Sequence, residues 1–297
     1  MLVISRPNSK SRTGTAIPLA VVRGGKHDKQ VLFYEEEATR EGDQQVNLLN
    51  DETFEPLPET REGMRSVFHI SASSGGGKST LAGKFGENFK RLWPDSQVLV
   101  ISSTSDDDPA FAGVEHSRIA IDQSLDEIQI DKLCSGFVAT LLIFDDVEGV
   151  PKDKKKALEN FSQRALETGR KFNCHVLSLF HRPANGTATK TSLNECNGFI
   201  YFPKNPCSNL AYVFKTHLSL PVGLISLLKD FGRFVLIRTD NAPSYILGSK
   251  KACLYDPEKV DTIITKRKIM NREAAKKEAR EELDEDNLQT LTAVGRS

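Results

Sequence analysis

Apolar residues between positions 66 and 248 fall into short, nearly continuous runs separated by longer stretches of mixed polarity. The runs are Ser66-Val67-Phe68-His69-Ile70, Gln97-Val98-Leu99-Val100-Ile101-Ser102, Val138 to Phe144, His175 to Phe180 and Gly198-Phe199-Ile200-Tyr201-Phe202. An unbroken apolar run of strand length predicts a strand covered on both faces. The intervening stretches carry helical spacing instead. Leu81-Ala82-Gly83-Lys84-Phe85 starts one helix, which Trp93-Pro94 ends near Leu92. Pro151-Lys152-Asp153-Lys154-Lys155-Lys156 opens another, with Ala157, Leu158, Phe161, Ala165 and Leu166 on one face and Glu167-Thr168-Gly169-Arg170 at its end. Strand–helix alternation predicts an α/β fold with a mostly parallel central sheet flanked by helices. Thr187 to Asn197 reads as polar loop and helix, and two short helices are expected over Asn209 to His217 and Val222 to Lys229. Arg233 to Arg238 and Ser244 to Leu247 read as a closing pair of strands around Asn241-Ala242-Pro243.

The flanks differ from this centre. Ala16 to Val22 and Gln30 to Tyr34 predict two strands around the glycine turn at Arg23-Gly24-Gly25-Lys26, and Gln45 to Leu49 a third. Ser5 to Thr15 is polar and expected to be mobile. At the other end, Lys266-Arg267-Lys268, Arg272, Lys276-Lys277 and Arg280 give way to Glu281-Glu282-Leu283-Asp284-Glu285-Asp286, with no core-forming stripe. The chain therefore divides into a small β-rich N-terminal appendage over residues 1–62, an α/β domain over 63–255, and a charged helical or disordered tail over 256–297.

The turn between the first central run and its helix carries the chemistry. Ala72-Ser73-Ser74-Gly75-Gly76-Gly77-Lys78-Ser79-Thr80 sits between a strand and a helix, the context of the phosphate-binding loop of P-loop NTPases. Glycines allow positive φ and let the backbone lie close to a polyphosphate. The loop N–H groups and the helix start then point at the anion. Lys78 is placed to reach the β- and γ-phosphates of ATP, and the Ser79 hydroxyl to ligate Mg²⁺. The strict pattern begins with Gly, where this chain has Ala72. Downstream, the run Leu141-Leu142-Ile143-Phe144 ends in Asp145-Asp146, a buried strand delivering carboxylates to the sheet edge in the Walker B manner. Asp145 is the expected Mg²⁺ carboxylate and Asp146 the group that orients or deprotonates the attacking water, with Glu148 in reserve. A strand inserted between these two marks the branch of P-loop ATPases that use an added catalytic acid, and His181, at the tip of the His175 to Phe180 run, is then the candidate phosphate sensor. Arg170, Arg182 and Arg233 are candidates for an arginine finger offered to a neighbouring subunit. The loop Ser103 to Pro109 reads as a turn in which Asp106 or Asp108 caps a helix, and His175 as a packed or hydrogen-bonded histidine.

Composition narrows the setting. Lys and Arg number 40, as do Asp and Glu, in 297 residues, so nucleic-acid contact would need a local basic surface and not a basic whole. The five cysteines show no CxxC spacing, which fits a reducing interior and argues against a zinc site or disulfide frame. Nothing approaches the run of about 20 apolar residues that a membrane span needs. The N-terminal apolar run is too short for a signal peptide.

Together, Ser73 to Thr80, Ile143-Phe144-Asp145-Asp146, Glu167-Thr168-Gly169-Arg170 with the strand to His181, and Asn194-Glu195-Cys196-Asn197-Gly198-Phe199-Ile200 resemble the genome-packaging ATPases of large DNA viruses, the poxvirus-type branch of the FtsK–HerA superfamily. The chain also resembles P-loop NTPases of giant viruses. Coverage is roughly residues 66 to 248. Packaging ATPases usually carry Gln at the sensor position and His after the Arg, where this chain has His181 and Lys171. The resemblance implies ATP hydrolysis with Mg²⁺ driving double-stranded DNA into a capsid, a homo-oligomeric ring, contact with capsid proteins, and a place in the host cytoplasm at the viral assembly site or in the virion. A nucleotide-dependent scaffold or interaction protein, and a small-molecule or nucleotide kinase, are the alternative functions.

Overall fold

A computed structural model describes residues 1–6, 16–36, 44–104, 108–205, 207–239, 243–260 and 262. Most of the polar segment Ser5 to Thr15, the tail from Lys266 onward and Asp106 lie outside the described residues.

The N-terminal strands are β1 (Leu2–Ser5), β2 (Ile17–Arg23), β3 (Val31–Tyr34), β4 (Gln45–Asn47) and β5 (Thr53–Pro56). The centre follows as β6 (Val67–Ser71), α1 (Lys78–Leu92), β7 (Gln97–Ser102), β8 (Ser117–Ile119), α2 (Ile130–Cys134), β9 (Thr140–Asp145), α3 (Lys152–Thr168), β10 (Cys174–Phe180), α4 (Thr187–Glu195) and β11 (Gly198–Tyr201). Two short helices, α5 (Leu210–Thr216) and α6 (Leu224–Leu227), precede the meander β12 (Val235–Arg238), β13 (Tyr245–Gly248) and β14 (Lys251–Leu254). The expected mostly parallel sheet is present. Its order is β4-β14-β13-β12-β11-β6-β10-β9-β7-β8. From β11 to β8 neighbouring strands run parallel, and from β11 to β4 they run antiparallel. β10 pairs with both β6 and β9, so the inserted strand stands where the motif order predicts.

The two-residue period of the strands sorts their side chains between two cores. Phe68, Ile70, Val98, Val100, Leu141, Ile143, Leu177 and Leu179 face α1, packing on Leu81, Phe85 and Phe89. Val67, Leu99, Ile101, Leu142, Phe144 and Val176 face α2 and α3, packing on Ile130, Leu158, Phe161 and Leu166. This two-sided cover is why the central runs are apolar throughout.

The N-terminal strands are tied into this body. β1, β3, β2 and β5 form a separate antiparallel sheet in that order. Leu2, Leu19, Ala20, Val22, Leu32 and Phe54 of that sheet nevertheless belong to the same core as Phe85 and Phe89. Phe54 N–H also donates to the Ser249 carbonyl at 3.0 Å. β4 leaves the small sheet and extends the large one through β14. Residues Met1–Tyr255 form one compact unit. The described part of the second unit, from Asp256, is a helical start in which the Asp256 Oδ1 accepts from the N–H groups of Glu258 and Lys259. No helix of the described residues is long and apolar enough to cross a membrane.

Candidate functional site

The site grows from the carboxyl ends of β6, β9 and β10, the edge at which open α/β sheets bind ligands. After Ser71 the chain cannot continue as a strand. Ala72 N–H donates to the Phe180 carbonyl at 3.2 Å, and Gly76 N–H turns back to the Ser73 carbonyl at 3.0 Å. Ala72 is fully buried. A Cβ at Gly76 would meet the Ala72 methyl at 2.6 Å, so the alanine at the first loop position packs without room for a side chain opposite. Gly77 caps α1 at φ +103, a conformation that other residues rarely adopt. Ser73, Ser74, Gly75 and Thr80 face solvent around this turn.

Lys78 is the first residue of α1, and its side chain folds back over the loop. Its ammonium donates to the Ala72 carbonyl at 3.0 Å and lies 3.2 Å from His181 Nδ1. Burial draws the ammonium below the ordinary lysine range, opposed by the charges of Asp145 and Asp146. Ser79, one residue on, donates to Asp145 Oδ2 at 3.0 Å. Asp145 is the last residue of β9 and 3 % exposed, and its Oδ1 has no hydrogen-bond partner among the described residues. Burial, then the negative charge of Asp146, pushes its carboxyl above the usual range. A buried acceptor left unpaired is costly. Here it stands beside a serine hydroxyl, and together they form a hard-oxygen donor pair suited to Mg²⁺.

The acids after β9 are aimed by backbone geometry. Asp146 takes φ +49, which ends the strand and turns its side chain toward β10. There Asp146 Oδ1 lies 3.1 Å from His181 Nε2. Glu148 uses both carboxylate oxygens: Oε2 accepts from the His181 N–H at 2.7 Å and Oε1 from the Asn185 amide at 3.3 Å. His181 therefore faces a donor, Lys78, with Nδ1 and an acceptor, Asp146, with Nε2. The neutral tautomer protonated at Nε2 satisfies both. The six residues expected from the sequence thus fall into two hydrogen-bonded sets at one sheet edge, Lys78–His181 with Asp146 and Glu148, and Ser79 with Asp145, related by the opposed charges of Lys78 and Asp145.

Arg170 does not join it. It follows α3 and precedes β10, so it lies at the opposite edge of the sheet, lining a surface cavity of about 390 Å³ with Met64, Arg65 and Glu195. It cannot reach the loop of its own chain. Arg182 is exposed beside His181. Arg233, expected like these to serve a neighbour, instead rests on this chain's own loop: a Cβ built on Gly77 would lie 2.9 Å from its Nη2. The loop after β11 also reaches the site, through Asn205 near Gly76 and through Cys207, whose Sγ donates to the His181 carbonyl at 3.4 Å. Sequence reasoning missed both. The available signal was that β11 is a parallel strand, so the loop at its carboxyl end opens on the same edge. Of the remaining expectations, Asp108 caps a short turn through Ala110 N–H at 2.9 Å. His175 is a core histidine whose Nδ1 accepts from Ser66 N–H at 3.0 Å.

A glycine loop between strand and helix, and an acidic strand tip one strand removed, meet at one parallel-sheet edge. The fold is that of a P-loop NTPase. No family model matches the chain. It is 28% identical over 214 residues to the uncharacterized protein V3 of Sputnik virophage, covering 69% of this chain and 81% of that one. Among solved structures it is similar to the pCW3 conjugation coupling protein TcpA, in its monomer form with ATPγS, with 11% identity and a TM-score of 0.46, covering 85% of this chain and 82% of that one. It is also similar to the DNA-packaging ATPase of Sulfolobus turreted icosahedral virus, with 12% identity and a TM-score of 0.44 over 62% of this chain and 97% of that one.

Proposed function

We propose that this chain binds ATP with Mg²⁺ on the loop Ala72 to Thr80 and hydrolyses it. One observation carries the reading: a buried, unpaired Asp145 oxygen beside the Ser79 hydroxyl, with the Lys78 ammonium held over the same loop. Such an unpaired buried acceptor costs stability in the free protein, and a bound cation offsets that cost. Ser79 and Asp145 would hold Mg²⁺, which when bound neutralises charge on the phosphate oxygens. Lys78 and the loop N–H groups bind and orient the triphosphate. Asp146 receives the proton of the attacking water; Oδ1 is held by His181, and Oδ2 has no partner among the described residues. Glu148, with both oxygens engaged, orders His181 and Asn185. His181 links the phosphate-binding lysine to the water-positioning acid. A phosphate that draws Lys78 away changes the hydrogen bonding of Asp146 through one imidazole, which is what a sensor requires.

In its finer form the proposal is a motor subunit: a ring of copies, with an arginine such as Arg182 or Arg170 supplied by a neighbour, that uses this hydrolysis to drive double-stranded DNA into a viral capsid. The motif resemblance supports this form. The test is the ATPase rate with and without double-stranded DNA across a range of protein concentration. Stimulation by DNA, rising with assembly, supports the motor. A slow rate that neither DNA nor concentration changes favours a nucleotide-dependent scaffold.

A further inference from the structure

The antiparallel half of the sheet brings a second cation to the loop. β11 runs parallel to β6, with Tyr201 opposite Ser71. β12 runs antiparallel to β11, with Val235 opposite Tyr201. The start of β12, and not its end, therefore lies at the edge where β6 gives way to the glycine loop. Arg233 stands two residues before Val235 at that edge.

Its backbone is fixed from three sides. Arg233 N–H donates to Ser249 Oγ at 2.7 Å. Gly232 takes φ +112, and a Cβ there would fall 2.2 Å from Ser249 Oγ. On either side, Lys250 N–H donates to the Phe231 carbonyl at 2.9 Å, and Phe234 is buried in the core. The side chain then crosses to the loop. A Cβ built on Gly77 would lie 2.9 Å from Nη2 and 3.4 Å from both Cζ and Nε, so the guanidinium occupies the space beside the glycine. Arg233 is exposed, and among the described residues its guanidinium has no ion-pair partner, which leaves its donors open to a ligand. Two cations, Lys78 and Arg233, thus approach one short run of backbone N–H groups from different elements. A planar fork of donors set beside a phosphate-binding loop is chemically suited to bidentate phosphate recognition.

We propose that Arg233 is a phosphate ligand that the chain supplies to its own nucleotide, closing over the glycine loop from the antiparallel half of the sheet. The inference rests on the reading of the loop as a nucleotide site. It makes binding of the polyphosphate complete within one protomer, so that any arginine from a neighbour acts on turnover and not on affinity. It also gives Gly77 a second reason to lack a side chain, beyond its φ.

The test is the affinity of the full chain for a fluorescent ATP analogue with Mg²⁺, measured at several protein concentrations. Thermal melts of each variant serve as the control for folding. Arg233→Ala is expected to weaken binding about tenfold or more, the size of one charge-assisted hydrogen bond. Arg233→Lys, which keeps the charge and loses the fork, falls between. Both effects are independent of protein concentration. Adding a Lys78→Ala chain, which carries an intact Arg233 but a damaged loop, does not restore the affinity of Arg233→Ala. Wild-type affinity in folded Arg233→Ala, or restoration by the added chain, overturns this inference alone. A wild-type chain that binds no nucleotide overturns the inference together with the reading beneath it.

Discussion

Asp145→Asn should make the nucleotide-free protein more stable and the nucleotide-loaded protein less so. Asp145 is 3 % exposed; Oδ2 accepts from Ser79, and Oδ1 accepts from nothing among the described residues. An unpaired buried polar group costs about 1–3 kcal/mol, with charged groups toward the upper end. Asparagine keeps an acceptor for Ser79 and removes the charge, while leaving its amide unpaired. Only part of the cost is recovered, about 1 kcal/mol. For a chain of this size that raises the melting temperature by roughly 2–4 °C. The pH dependence gives a second readout. Burial and Asp146 raise the folded carboxyl above its unfolded value, so in that window the folded state binds more protons. Wild-type stability therefore falls as pH rises through the window, and the advantage of the variant opens from acid toward neutral pH. Excess ATP and Mg²⁺ reverse the order. A ligand at a hundred times its Kd stabilises by about 2.7 kcal/mol, which the wild type gains and the variant largely forgoes. Thermal melts with and without ligand, from the acid range to neutrality, measure all three. A variant that melts below the wild type without ligand, or that keeps the full ligand shift, refutes the reasoning.

The other expectations are simpler. Lys78→Ala removes the ammonium that spans Ala72 and His181, and is expected to abolish the melting shift with ATP and its hydrolysis. Asp146→Asn retains nucleotide affinity and loses about 10²–10⁴ in turnover, checked by paired binding and phosphate-release assays; equal loss in Glu148→Gln alone would move the water-positioning role to Glu148. Glu59→Gln tests the scaffold away from the loop. Burial pushes the Glu59 carboxyl up, but the Arg61 hydrogen bonds and the Arg238 charge outweigh it and hold it at about 2. Because that pKa is depressed, its stabilisation is present above the ordinary carboxylate range and fades as pH falls toward 2. The substitution should cost about 3 kcal/mol in chemical denaturation and leave nucleotide affinity unchanged.

How much of this was legible in the chain depended on how local the cause was. The glycine loop and the acidic tip of β9 are written in consecutive residues, because a phosphate cradle needs glycine and lysine side by side and a strand end needs its acids at the boundary. The two-sided cover of the sheet was legible for the same reason, in runs such as Leu141 to Phe144. What depends on distant partners was not. β5, which the sequence reading did not place, contains a buried glutamate, Glu55, whose charge is met at 2.7 Å each by Arg23 of β2 and Lys84 of α1. The contacts between the small sheet and α1 depend on such distant pairs and are not written in any local run.

The arginines show where a simple topological rule would have done better than motif position. Arg170 drew attention because it stands near the sensor strand in sequence. But it precedes β10, and the proposed nucleotide site lies where β10 ends. Seven residues of strand separate the two edges, about 20 Å at 3.3 Å per residue. A residue just before a strand parallel to β6 is always at the wrong edge, and one just before an antiparallel strand is always at the right one. Arg233 precedes the first antiparallel strand after β11. Once the closing pair Arg233 to Arg238 and Ser244 to Leu247 is read as a meander against the parallel half, the rule alone selects Arg233 for the loop and sends Arg170 to the far side. The same reasoning applies to any sheet that turns from parallel to antiparallel beside its ligand edge: strands running against the loop strand, such as β12, bring their beginnings to that edge, and strands running with it, such as β13, bring their ends.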